Sequence, residues 1–198
     1  MFRKMIGFSL VSVFVMVSIL GCAGPSATKE FSADMVMKFG GMTQRGKIYV
    51  ANNKWRTDMT VYGKKATSII RADKKTVWSL MPGQKTYMEM KYTEDKSRGL
   101  TTKMPGEMNR KKVGSGKVNG VMCDKYKITY KSGGKSETVY QWLSKDMIPV
   151  RTKTADGSWM VEYKNIKRGK QPASVFELPA GYKKFKMPKI PGIPKGLY

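Results

Sequence analysis

The side chains able to do covalent or acid–base chemistry in this 198-residue chain are few, and their pattern excludes most enzyme classes. Histidine is absent, which removes Ser–His–Asp and Cys–His catalysis and the commonest zinc ligand. No glycine-rich loop follows a strand and opens a helix, so nucleotide binding has no support. The 14 carboxylates fall mostly at turns or on polar strand faces. The adjacent pair Glu94-Asp95 could supply two acids, and reads better as solvated loop charge. The sequence therefore predicts no catalytic residue, no cofactor and no metal site. What remains is sulfur. Setting aside Met1, Met5 and Met16, 13 of the 16 methionines lie in the body of the chain. Met35 and Met37 are two apart, as are Met88 and Met90, the spacing that puts side chains on one face of a strand. Sheet-core packing is the first reading of these pairs, an adaptable apolar pocket the second. Cu(I) binding by thioethers comes last, since no Met-x-x-Met ladder accompanies them.

The two cysteines, Cys22 and Cys123, have different surroundings. Arg3 and Lys4 precede an apolar run over residues 6–20, and Gly21 stands directly before Cys22. A positive start, a short apolar stretch and a small residue make a secretory signal, too short for a spanning helix of roughly 20 residues. Ile19-Leu20-Gly21-Cys22 resembles the bacterial lipobox, in which the cysteine becomes the acylated first residue of the mature chain. The resemblance implies a signal peptide over 1–21, lipid attachment at Cys22, a tether over 22–30 and membrane partnership through the acyl chains. Ala23 and Gly24, with no Asp after the cysteine, resemble the pattern of lipoproteins on the periplasmic face of the Gram-negative outer membrane. With Cys22 acylated, Cys123 has no intrachain partner, and packs as a small buried residue more readily than it serves as a reactive thiol.

Without Arg3 and Lys4, 36 basic residues face 14 acidic ones, a net +22. Such a chain is drawn to polyanions, and anionic lipid head groups or cell-wall polymer are the partners expected; no nucleic acid is. The same lysines also blunt strand edges and keep a β-protein soluble.

The elements that must position these residues are strands. Apolar residues alternate with polar ones from Phe31 to Phe39, and again over 47–50, 55–61, 66–71, 76–81 and 86–90. Gly40-Gly41, Asn52-Asn53, Gly63-Lys64, Asp73-Lys74 and Pro82-Gly83 separate them. Short strands at roughly ten-residue spacing predict an antiparallel meander, because parallel crossovers need a dozen or more connecting residues. The pattern lapses over 91–112, where a loop crossing the sheet or a short helix is expected; a connection of that length is often a lid or binding loop. It resumes over 122–130, 138–142, 150–154 and 159–166, with a Pro172-led short helix to follow. In the tail, 188–198, prolines at 188, 191 and 194 would line one face of a polyproline II helix, although disorder suits so basic and Pro-rich a stretch better.

The lipobox, the ten-residue meander, ADKKTVWSLMPGQKTYMEM at 72–90 and FELPAGY at 176–182 resemble the LolA-like superfamily. That group includes the lipoprotein carrier LolA, its receptor LolB, the sensor RseB and the mycobacterial lipid-binding lipoproteins. The chain also resembles an uncharacterised branch of bacterial lipoproteins with a domain of unknown function. The resemblance covers 31–187 and implies a mainly β fold, a single antiparallel sheet curved into an open half-barrel with a few short helices. Family members hold acyl chains in that cavity; this chain departs in its methionine content and its shortage of capping helices. The function it implies is non-enzymatic binding of a lipid or lipoprotein acyl chain at the envelope. Candidate lining residues are Met35, Met37, Trp55, Met59, Met88, Met90, Tyr126, Ile128, Tyr140 and Trp142. The rival reading is an envelope scaffold or stress sensor whose basic surface meets a protein or anionic polymer.

Overall fold

The structure, a computed structural model, describes residues 30–185. The lipobox with Cys22, the signal peptide, nearly all of the tether and the tail at 188–198 lie outside the described residues. Twelve strands form one sheet: β1 (Phe31–Phe39), β2 (Met42–Ala51), β3 (Lys54–Val61), β4 (Lys64–Arg71), β5 (Thr76–Met81), β6 (Thr86–Lys91), β7 (Glu107–Val118), β8 (Val121–Ser132), β9 (Lys135–Ser144), β10 (Pro149–Thr154), β11 (Trp159–Arg168) and β12 (Lys183–Lys184). Their order is β12-β6-β5-β4-β3-β2-β1-β11-β10-β9-β8-β7. The chain thus meanders outward from β1 to β6, crosses to the far edge at β7, and returns to pair β11 with β1. All pairings are antiparallel except the short β12–β6 pair. The sheet stays open between its edge strands, β12 and β7; it is the antiparallel meander that the alternation predicts and the open half-barrel that the family resemblance implies.

Turn chemistry sets the register. Five hairpins turn on two residues, at 40–41, 52–53, 62–63, 119–120 and 133–134, and both residues have positive φ in every one. That is the backbone of a type I′ turn, whose twist matches the twist of the flanking strands. Asn and Gly occupy nine of these ten positions; Tyr62, at φ +48, is the exception.

Both faces of the β2–β5 region are covered, which explains its adjacent apolar residues. On the inner face, Trp55, Ile70 and Val77 join Phe31, Ile48, Val50, Val161 and Tyr163 in the main core. On the outer face, Ala51, Ile69, Trp78 and Leu80 receive Phe176 from the segment after β11. That segment carries a short 3₁₀ turn, Ala173–Phe176, led by Pro172. Fully burying a side chain such as Phe176, 1% exposed, contributes about 1.5–3 kcal/mol.

The sequence reading placed a loop over 91–112, and here the structure corrects it: β7 begins at Glu107. β7 is an edge strand with only Val118 buried and two register shifts. With no buried face along most of its length it has no apolar alternation to display. Lysines 111, 112 and 117 and the bulges guard this edge against pairing with another chain. The true crossing segment is 92–106, with one 3₁₀ turn at Glu94–Ser97.

Candidate functional site

The crossing segment lies against the inner face of the sheet. Leu100 and Met104, 7% and 1% exposed, are its apolar anchors. Leu100 joins the main core, and Met104 packs on Ile128, Tyr130 and Val139. Polar contacts hold it as firmly. Gln141, fully buried, donates from Nε2 to the Thr101 carbonyl at 3.0 Å and accepts from Arg110 Nη1 at 3.1 Å. Arg98 donates from Nη1 to Ser132 Oγ at 3.1 Å and lies over the Tyr130 ring. Ser97 donates to the Glu94 carbonyl and bonds the Tyr92 hydroxyl. Burial alone would raise the Glu107 carboxyl, but Arg110 and the Met104 N–H hold it below its ordinary value.

Two clefts flank this segment. The first, of about 420 Å³, has Met37, Thr57, Ser68 and Ile70 as its floor. Leu100 and Trp159 form its wall, with Asp95, Lys96 and Arg98 at the rim. Register explains the shape. Ala33, Ile48, Thr57, Ser68, Ser79 and Met88 form one row across β1–β6 on the inner face, and the small hydroxyl residues at its centre leave room. The second cleft, of about 450 Å³, lies between Trp55, Ala72 and Tyr92 on one side and residues 101–107 on the other. Both volumes fall within the range of about 300–1,000 Å³ typical of small-molecule pockets. Arg98 and Trp55, which line the first and the second cleft, each carry a buried donor without a partner in the structure, Nε and Nε1. A buried donor left unpaired costs about 1–3 kcal/mol.

The ten lining residues named from sequence are distributed unevenly. The strand pairings put Met35, Met37, Trp55, Met59, Met88, Met90, Tyr126 and Ile128 on the inner face. Only Met37 and Trp55 border the two clefts. Met35 and Ile128 are sealed in the core at 1% and 0% exposure. Met59 packs against the same core and over Gly46, where a Cβ would stand 2.7 Å from its sulfur. Met88 and Met90 lie on β6 near the open side, and Tyr126 stacks with Arg110. Tyr140 and Trp142 do not join them: they pair with Lys153 and Arg151 on the outer face. Thr57, Ser68 and Ile70 were within reach of a period-2 reading. Leu100, Arg98 and Trp159 were not, because they meet the cleft through a long-range crossing that no local pattern encodes. Cys123 is a core residue, 1% exposed, and burial pushes its thiol above its ordinary range.

Among solved structures, an uncharacterized conserved protein from Thermus thermophilus superposes with a TM-score of 0.55 at 14% identity, covering 80% of this chain and 90% of its own. MucB superposes at 0.50 with 15% identity, covering 79% of this chain and 58% of MucB. LppX, a lipoprotein of Mycobacterium tuberculosis, superposes at 0.43 with 13% identity over 72% of this chain and 85% of its own. The likenesses to the Thermus thermophilus protein and to MucB are of fold alone, and they agree with the fold that the LolA-like resemblance implies. No curated protein matches the chain in sequence. A family model does match, over residues 31–152, which run from β1 into β10 and include the crossing segment, the whole lining of the second cleft and all of the first but Trp159; the chain belongs to the family described as a domain of unknown function (DUF4412).

Proposed function

We propose that this protein is a non-enzymatic envelope lipoprotein that binds an acyl-bearing amphiphile in the cleft between the inner sheet face and residues 95–100. The observation that carries this reading is the cleft's construction. Met37, Ile70, Leu100 and Trp159 offer apolar surface, and Lys96 and Arg98 stand at the rim. An acyl chain would lie on the first set and an anionic head group would meet the second. The LolA-like fold supports the reading, since the resemblance drawn from sequence implies acyl chains held within the curved sheet. The lipobox supports attachment through Cys22, and Ala23-Gly24 favour the periplasmic face of a Gram-negative outer membrane. On this reading, Cys22→Ala abolishes acylation.

The test is native mass spectrometry of protein released gently from membranes, followed by lipid extraction. A bound lipid distinct from the acyl chains on Cys22 is expected, and Ser68→Leu, which fills the cleft floor, should lose it. Protein carrying nothing but its anchor, or a lipid retained by the Ser68 variant, would overturn the assignment. A second reading, an interaction scaffold without a ligand, draws on the filled interior: Leu100 and Met104 already occupy much of the inner face.

A further inference from the structure

The outer face is covered over only half its width. Over β2–β5 the chain's own segment around Phe176 seals it, whereas over β8–β11 the outward-facing Lys125, Lys127, Tyr140, Trp142 and Lys153 are all exposed or half-buried, Trp142 resting in part on the main core. There the register sets Lys127, Tyr140 and Lys153 side by side in one row, and Lys125, Trp142 and Arg151 in the next. Lys125 Nζ lies 4.6 Å from the Tyr140 ring centroid and 5.1 Å from that of Trp142. Arg151 lies 5.5 Å from the Trp142 centroid. Both rings are half-buried and tilted 52° to one another. Beside them, between β1, β2, β10 and β11, is a depression of about 560 Å³ with Lys38, Arg45 and Lys164 on its walls. The one carboxylate lining it, Glu162, is already paired with Arg151 and lies 3.8 Å from Lys164, so the remaining lysine and arginine charge is open.

We propose that this uncovered half of the outer face is a membrane-docking surface for anionic phospholipid. Lipid phosphates would sit in the depression, and the rings of Tyr140 and Trp142 would lie at head-group depth. Aromatic side chains with one apolar and one polar edge favour that depth, and lysine stems lie along apolar surface while their ammonium groups reach phosphate. A single-stranded nucleic acid would need a free ring face on which to stack its bases, and here cations stand against both rings. A soluble polyanion would meet the lysines but has no use for the rings. This surface lies opposite the proposed ligand cleft and stands or falls independently of it.

The test follows Trp142 itself. The full chain is reconstituted with vesicles containing lipids brominated near the head group, and the Trp142 signal is taken as the difference between wild type and Trp142→Phe. Because any acyl anchor holds protein on every vesicle alike, only docking of this face should change that signal. The expected result is quenching in vesicles rich in phosphatidylglycerol, little in phosphatidylcholine, and relief by added salt. Lys125→Gln/Lys127→Gln/Lys153→Gln should weaken the docking by on the order of tenfold or more. The charge-matched variant Lys64→Gln/Lys65→Gln/Lys85→Gln, with an unchanged urea midpoint in both, should retain most of it. Absent quenching in anionic vesicles, equal quenching in neutral ones, or equal loss in the two triple variants would overturn the proposal. So would tight binding of soluble polyphosphate that depends on the same three lysines while Trp142 stays unquenched.

Discussion

Gly99 lies flat against the indole of Trp159: a Cβ built on it would stand 2.3 Å from Cη2 and 2.9 Å from Cζ2. The crossing segment can therefore rest on the inner face only because residue 99 has no side chain. Its φ of +75° makes the same demand. The first cleft owes its wall to this contact. Gly99→Ala should destabilise the protein by about 1–3 kcal/mol through overpacking, with a further cost for the left-handed backbone. Urea denaturation checks the size, and a double-mutant cycle checks the cause. In a Trp159→Ala background the penalty of Gly99→Ala should shrink to the backbone cost alone. An undiminished penalty would place the strain elsewhere.

Gln141 fastens the other half of the segment. Its Nε2 also reaches Thr152 Oγ1 at 3.3 Å, and both residues are fully buried. Gln141→Leu keeps the volume but strands the Thr101 carbonyl and one Arg110 N–H, so a loss of about 1–3 kcal/mol is expected. Hydrogen exchange should locate it, with amides of 100–107 losing protection while β1 and β2 keep theirs.

Arg71 does for the outer face what Gln141 does for the inner one. At 4% exposure it donates from Nε and Nη2 to Asp73 at 2.8 Å each, from Nη1 to the Phe176 carbonyl at 3.3 Å, and to Glu177. These carboxylates hold its guanidinium well above its ordinary value, against burial. Arg71→Met should cost about 1–3 kcal/mol, since Asp73 and Glu177 are exposed enough to recover water as partners. Limited trypsin digestion should then cut first at Lys170, ahead of the sheet. Cleavage beginning in β1–β5 instead would mean that the variant loses the whole fold.

How much of this was legible in the sequence follows from which contacts are local. Alternation from Phe31 to Phe39 and the Gly-Gly and Asn-Asn pairs encode strands and turns within a few residues, and the meander was readable from them. Met35, Trp55 and Ile128 each fell on the apolar side of its own strand for the same reason, since a strand's period binds each residue to its neighbours two away. Tyr140 and Trp142 obey that period too, but period alone does not say which face points inward. β7 was missed because an exposed edge strand has no buried side to leave a pattern. Neither the contact of Gly99 with Trp159, 60 positions apart, nor that of Arg71 with Phe176 is written in any local stretch.

The dependence of stability on pH should be flat across neutrality and fall at both ends. With no histidine, no side chain of that ordinary range titrates near pH 6–7. On the acid side, Asp146 is held down to about 2 by Arg168, which donates from Nε at 2.6 Å, and by the Ser144 hydroxyl at 2.6 Å. A carboxyl depressed in the folded state stabilises above its unfolded value near 3.8 and loses that stabilisation as pH falls towards 2. Allowing for the exposure of Arg168, the contribution is about 1 kcal/mol. Asp146→Asn should lower stability by that amount at pH 7 and by almost nothing at pH 2. On the alkaline side, burial and the bond to Glu137 push the Tyr130 phenol up to about 12. Here the sign reverses: the folded state favours the protonated phenol, so its contribution is whole below pH 10 and drains away between about 10 and 12. Tyr163, fully buried with its hydroxyl unpaired, is shifted the same way by burial. Tyr130→Phe removes one of these two groups and should flatten the alkaline limb of a urea-midpoint profile measured against pH, at the cost of the Glu137 bond below it. An alkaline limb as steep in the variant as in the wild type would assign the loss to lysine deprotonation instead.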